Sequence, residues 1–170
     1  WVKNVHITRI LPNKLFVTIE EHKIQGIVLL DKLYFYNSDY KIFIESDNID
    51  NHIIFSGFQE QLYETDFNLF RKQITEMEFI VNNFKNHQIS KETELSEIRK
   101  TKFKGYEIIT KNNNERILIG NENINEVLDK SYKIIKKTKE DNLQLSAIIF
   151  DEFKDKNKVL VKLKEGQKNE

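Results

Sequence analysis

The chain has 170 residues, of which 39% are hydrophobic, 11% aromatic and 32% charged, so it can fold as one ordinary domain or two small ones. Its 27 basic and 27 acidic residues give a formal net charge of zero, which does not favour a nucleic-acid partner. Cysteine is absent, which excludes disulfides and thiolate metal sites, and no apolar run approaches the roughly 20 residues that cross a bilayer.

The first predicted element is a β-hairpin in residues 5–21, where apolar side chains alternate on both sides of the turn residues Pro12, Asn13 and Lys14. With those residues as the loop, the expected cross-strand pairs are Leu11 with Leu15, Arg9 with Val17, Ile7 with Ile19, and Val5 with Glu21. One face of the hairpin is then apolar. A lone hairpin is marginally stable, so we expect a helix or further strands that lie outside this sequence to cover this face.

Residues 26–57 predict further strands. A strand opens at Gly26, residues 33–37 and 40–44 form a second hairpin around Asn37, Ser38 and Asp39, and residues 52–55 form a short strand that ends near Gly57. Aromatic side chains dominate the second hairpin, and we interpret them as cross-strand packing rather than as a platform for a ligand. They are Tyr34, Phe35, Tyr36, Tyr40 and Phe43.

Two amphipathic helices are predicted. The first begins after Thr65 or Asp66, either of which can cap it, and ends near Asn86. Its apolar face comprises Phe67, Phe70, Ile74, Met77, Val81 and Phe84. The second helix carries lysines towards its end, where they suit the helix dipole better than they indicate a polyanion site. Its apolar face comprises Ile124, Val127, Leu128, Ser131, Ile134 and Ile135.

Strands surround the second helix. Residues 94–99 predict one strand, residues 106–110 and 116–119 a hairpin with an asparagine turn, and residues 144–150 and 158–164 the last two strands. A polar tail, residues 165–170, is expected to be disordered. The order of elements predicts an α+β fold, in which a partial domain made of the first hairpin precedes a mainly antiparallel sheet with two helices packed on one face.

Residues 1–21, WVKNVHITRILPNKLFVTIEE, follow the pattern WVKxVxVxRxxPxxLxIxVxE. Together with residues 28–43, 54–57 and 106–120, this segment resembles the extracytoplasmic part of the bacterial division proteins FtsQ and DivIB. Ile53 stands where the family usually has proline and Asn114 where it has glycine. An acidic residue expected early in the strand that begins at Gln144 is absent.

The resemblance implies that residues 1–22 are the C-terminal half of a POTRA domain and that residues 23–164 are an FtsQ-type or DivIB-type β domain. It implies a single-pass protein of the inner membrane, anchored by an N-terminal transmembrane helix that lies outside this sequence, with this region periplasmic or otherwise extracytoplasmic. Such proteins are non-enzymatic scaffolds of the divisome that help to organise septal cell-wall synthesis. The implied partners are division proteins of the FtsB or DivIC type and the FtsL type, which dock on the last strands of the β domain.

The last predicted strand suits such a partner on physical grounds. A strand at the end of a chain is often a sheet edge, whose unpaired N–H and C=O groups can accept a strand from another chain. The candidate partner-binding residues are therefore Lys158, Val159, Leu160, Val161, Lys162 and Leu163. The alternative is that Lys158, Lys162 and Lys164 protect the edge from unwanted pairing.

Catalytic and metal sites receive little support from the sequence. His6, Glu20 and His22 share a face of the predicted hairpin but lack a fourth ligand. Carboxylates such as Glu92, Glu94 and Glu97 lie in a charged stretch without a pocket that would tune them for acid catalysis. We therefore expect no enzymatic activity and no cofactor. The alternative function is that of a POTRA-containing outer-membrane assembly or secretion factor.

Overall fold

The computed structural model describes residues 1–46, 49, 52–102, 105–120, 122–150 and 158–164, and it contains a separate two-stranded hairpin and a nine-stranded sheet. The predicted tail, residues 165–170, lies outside the described residues. The strands are β1 Val2–Ile10, β2 Lys14–Glu21, β3 Gly26–Leu29, β4 Leu33–Tyr36, β5 Ile42–Glu45, β6 Ile54–Ser56, β7 Leu95–Lys100, β8 Tyr106–Thr110, β9 Arg116–Leu118, β10 Leu145–Ile149 and β11 Leu160–Leu163. The helices are α1 Leu62–Thr65, α2 Phe67–Asn86 and α3 Ile124–Glu140, with a 3₁₀ turn at Gln88–Lys91.

The large sheet is mostly antiparallel, and its strand order is β11-β10-β9-β8-β7-β6-β3-β4-β5. Three neighbouring pairs are parallel: β3 with β6, β6 with β7, and β9 with β10. The last two of these pairs are joined by α2 and α3, because a parallel connection needs a long crossover that a helix can supply. The predicted α+β fold with helices packed on a mainly antiparallel sheet is confirmed.

A row of directly paired side chains forms the floor of the core. The row crosses six neighbouring strands, and its members are at most 5% exposed. In sheet order they are Val28, Phe55, Ile98, Ile108, Ile117 and Ile148. Helices α2 and α3 pack on this row with their apolar faces, through buried residues that include Phe70, Ile74, Met77, Phe84, Val127, Leu128 and Ile135.

Helix α2 begins and ends as its sequence predicts. The Asp66 side chain caps it by accepting a hydrogen bond from the Leu69 N–H at 2.9 Å, and the helix runs to Asn86. Two of its carboxylates reach the sheet: the Tyr36 hydroxyl donates to Glu78 at 3.0 Å, and the Tyr106 hydroxyl donates to Glu76. Helix α1 and the 3₁₀ turn were not predicted, because elements of four residues are too short to show a helical period.

The register predicted for the first hairpin is wrong by two residues. The structure pairs Val5 with Ile19, Ile7 with Val17 and Arg9 with Leu15. Residues 11–13 form the loop, because Lys14 joins the ladder opposite Ile10 and leaves Pro12, which has no N–H to donate, at the centre of the turn. A shift of two residues preserves the side-chain faces, so the predicted apolar face is retained.

Both faces of the hairpin are exposed. Ile7 and Leu15 on one face are 64% and 68% exposed, and Phe16 on the other is 62% exposed. The base of the hairpin is attached to the large sheet by aromatic contacts, in which the Trp1 ring lies 6.2 Å from the rings of both Phe35 and Phe43. The hairpin therefore projects from the sheet as a separate ribbon.

Gly57, directly after β6, is a position where only glycine fits. Its φ is +78°, and a Cβ atom there would lie 2.1 Å from the Lys100 carbonyl oxygen. We expect Gly57→Ala to lower the free energy of unfolding by about 2–3 kcal/mol, because backbone atoms would have to move. Asn114→Gly is the control, since exposed Asn114 already has a φ of 52° and glycine relieves that conformation. Chemical denaturation measures both, and equal stabilities for Gly57→Ala and the parent would contradict this account.

Tyr36 makes the stability of the fold sensitive to alkaline pH. Burial, together with the neighbouring Glu78 carboxylate, raises the pKa of the Tyr36 hydroxyl far above its ordinary value of 10.0. The contribution of Tyr36 is thus fully present below about pH 10 and is lost above it, where the unfolded chain releases this proton and the folded chain keeps it. We expect up to about 1.4 kcal/mol of extra stability loss per pH unit, measured by denaturation between about pH 10 and 11, and absent in Tyr36→Phe. If the parent and Tyr36→Phe lost the same stability over this pH range, the role assigned to Tyr36 would be refuted.

Candidate partner-binding edge of the sheet

The predicted partner-binding strand lies at one edge of the nine-stranded sheet. Strand β11 pairs only with β10 in the described part of the chain, with Leu160 opposite Ile149 and Val161 opposite Ile148. The strand covers Leu160–Leu163, which is shorter than the predicted residues 158–164. Lys158 and Val159 precede it, and Val159 packs against the core.

The hydrogen-bonding direction of β11 can be assigned from one bond beside the strand. The Lys164 N–H donates to the Gln144 carbonyl at 2.8 Å, so the backbone groups of Lys164 point towards β10. Because these groups alternate in direction along a strand, those of Lys162 also point towards β10, and those of Val161 and Leu163 point away from it. No described strand bonds to this outer side.

The side chains of β11 make this edge largely apolar. Val161 and Leu163 continue the helix-covered face of the sheet beyond the buried Ile148 and Leu145, and they remain 36% and 45% exposed. Leu160 and Lys162 lie on the opposite face, next to Ile149 and Ala147. The edge thus combines outward backbone groups with exposed apolar side chains.

The three lysines proposed as edge protection differ in their contacts. The Lys164 ammonium group donates to the Asn113 carbonyl at 2.9 Å, which ties it to the turn between β8 and β9. Lys158 and Lys162 are exposed. Lys162 is the one that lies within the strand, so it is best placed to affect an added strand through its charge.

A charged network that sequence reasoning missed lies on the helix-free face of the sheet. Glu107 is only 2% exposed, and its carboxylate accepts a hydrogen bond from Arg116 Nε at 2.6 Å. Arg99 Nη1 lies 3.7 Å from the same carboxylate. Arg99 Nε also donates to Glu97 at 3.0 Å, and Ser56 donates to the same carboxylate. The sequence does contain a signal for this network, because the alternation of side chains in β7, β8 and β9 places these charged residues on one face of the sheet.

The carboxylates considered for catalysis are each paired separately. Glu92 accepts from the Lys139 ammonium group at 3.0 Å, Glu94 lies 3.6 Å from that of Lys111, and Glu97 is paired with Arg99. The structure does not bring these three carboxylates together into one acid–base pair.

The histidines considered for metal binding have other partners. His22 Nδ1 lies 3.1 Å from the Asn37 amide nitrogen, and the His22 ring stacks on Phe43 with centroids 4.7 Å apart. His6 pairs with Thr18 and not with Glu20, as the shifted register requires. The Glu20 carboxylate accepts hydrogen bonds from Lys3 and Asn4 at 2.8 Å each. In the described ranges, no group of three His, Asp or Glu side chains is arranged to hold a metal ion.

The aromatic residues of the second hairpin fall on two faces of the sheet. Tyr36 and Tyr40 lie towards α2, where they share Glu78, and Arg71 lies over the Tyr40 ring. Phe35 and Phe43 lie on the other face with Trp1. They pack in separate clusters and do not form a single platform.

Comparisons with known proteins point to one relationship. No protein-family model matches the chain. The chain is 23% identical over 165 residues to a protein named cell division protein FtsQ from Geobacter sp. (strain M21), and this similarity covers 95% of the chain. It covers 59% of that relative, so the chain spans little more than half of the relative's length. The similarity supports an FtsQ-like relationship. None of the helices in the described ranges is both long enough and apolar enough to cross a membrane.

Proposed function

We propose that this chain is the extracytoplasmic part of an FtsQ-like scaffold of the bacterial divisome, which acts by binding other division proteins. The observation that carries this proposal is the outer edge of β11, to which no strand of the described residues bonds and which offers outward backbone groups and exposed apolar side chains. The similarity over 95% of the chain to a cell division protein supports the same role. Catalysis is not part of the proposal, because the candidate carboxylates are separately ion-paired.

In this proposal the chain comprises two units of a longer protein. Residues 1–22 form the C-terminal half of a POTRA domain, and residues 23–164 form the β domain. The separate two-stranded sheet of β1 and β2, with both faces exposed, supports this division. A single transmembrane helix outside this sequence anchors the protein in the inner membrane, and both units lie outside the cytoplasm.

The proposed partners are division proteins of the FtsB or DivIC type and the FtsL type. A strand from such a partner adds to β11, and the outward backbone groups of Val161 and Leu163 supply its hydrogen bonds. Exposed Val161 and Leu163 favour apolar partner side chains on the helix-covered face, and Lys162 favours an acidic side chain on the opposite face. Backbone bonding gives affinity, while these side-chain preferences give specificity.

Val161→Pro tests this mode of binding. Proline is tolerated on an edge strand where the N–H faces outward, so the variant should fold. It loses a donor to the added strand and leaves a partner carbonyl unsatisfied, so we expect the affinity for partners of the FtsB and FtsL type to fall by about tenfold or more. Isothermal titration calorimetry with the purified extracytoplasmic partner pair measures it, and circular dichroism verifies the fold.

Lys162→Pro is the matched comparison. Its N–H points towards β10, so we expect this variant to lose both stability and binding, whereas Val161→Pro should lose binding alone. A folded Val161→Pro variant with the affinity of the parent would refute strand addition at β11. If the chain bound outer-membrane proteins and none of the division partners, the alternative of an assembly or secretion factor would replace the scaffold.

A further inference from the structure

A cavity of about 430 Å³ opens on the helix-covered side at the amino ends of β6 and β7. We propose that it binds a peptide segment in which a large apolar side chain lies next to a carboxylate. The cavity is separated from β11 by the three strands β8, β9 and β10, so four strand spacings, roughly 19 Å, lie between β7 and β11. The proposal is therefore independent of strand addition at β11.

The cavity exists because β6 is shorter than β7. Strand β6 begins at Ile54, which pairs with Glu97, so Leu95 and Ser96 at the start of β7 extend beyond the end of their neighbour. The sheet is therefore incomplete at this point, and the end of α2 lies over the gap with Phe84. A peptide segment bound in this gap would contact the side chains that line it, where β6 does not extend alongside β7.

The walls of the cavity are mainly apolar. They include partly buried Ile53, Ile54 and Leu95 and the ring of Phe84, while Ile49 beside the cavity is 45% exposed. Burying one large side chain here would remove apolar surface from water on both partners. The cavity volume of about 430 Å³ falls within the roughly 300–1,000 Å³ of ligand pockets, so it is ample for a leucine or phenylalanine side chain.

The polar groups of the cavity favour an anion beside that side chain. Lys85 contributes an ammonium group with no ion pair or hydrogen bond in the described part of the chain, whereas the Lys111 charge is offset by Glu94 at 3.6 Å. Thr93 in the wall is 5% exposed, and its hydroxyl has no hydrogen-bond partner among the described residues. A carboxylate near Lys85 would give that lysine a partner of opposite charge.

Binding of two peptides with blocked termini to the 170-residue chain tests the proposal. Acetyl-Ala-Leu-Asp-Ala-amide carries the apolar side chain and the carboxylate, and its Asp→Asn analogue differs only in charge. Titration followed by two-dimensional NMR should show saturable shifts confined to the cavity amides, including those of Lys85, Ser90 and Ser96. For a ligand of this size we expect a Kd on the order of 1 mM, and roughly tenfold weaker binding of the Asn analogue.

Two lysine variants on α2 identify the charged contact. Lys85→Ala should abolish the preference for the acidic peptide, whereas Lys72→Ala, which removes an exposed lysine of the same helix outside the cavity, should preserve it. The proposal is overturned if no saturable shifts occur in the cavity, if both peptides bind equally well to the parent, or if Lys85→Ala retains the preference. Both variants remove an exposed side chain, so the fold should persist.

Discussion

The buried row from Val28 to Ile148 is the constraint on which the rest of the structure depends. Each of its six residues belongs to a different strand, and together they form the surface on which α2 and α3 pack. Side chains alternate along a strand, so a slip of one residue in any strand would replace its core residue with one from the opposite face. In β8 such a slip would bring Glu107 under the helices in place of Ile108. The register is therefore fixed by the core.

The same register determines the chemistry of the open face. With the isoleucines turned towards the helices, Glu97, Arg99, Glu107 and Arg116 must turn the other way, where neighbouring strands bring opposite charges together. Glu107 is nearly fully buried there, and a buried carboxylate is tolerated only when it is paired. Its bond to Arg116 satisfies that condition. The fold therefore accounts for the network.

Long periodic segments were predicted well because their sequence contains the information. Helix α2 was predicted from its apolar period and from a capping residue at Thr65 or Asp66, of which Asp66 is the cap. The β8–β9 turn was predicted from its asparagines, of which Asn114 adopts a left-handed conformation with a φ of 52°. The hairpin register was missed because the predicted loop, residues 12–14, and the observed loop, residues 11–13, place the same side chains on the same faces of the hairpin. The alternation of apolar residues therefore fits both registers equally well. The cavity was missed because it depends on the unequal lengths of β6 and β7, which are known only once those strands are paired.

Strand β11 and the hairpin of β1 and β2 both expose apolar side chains, but they differ in what they can bind. Strand β11 presents backbone donors and acceptors along one edge, so its natural complement is another strand, whose backbone can satisfy them. The hairpin of β1 and β2 presents broad faces of side chains such as Ile7 and Phe16, and such faces are covered by packing rather than by backbone bonds. The Trp1 contacts hold the base of the hairpin against Phe35 and Phe43 and leave both faces accessible. In the proposed scaffold, the hairpin would therefore complete a domain of its own, while recruitment would take place at the opposite end of the chain, on β11.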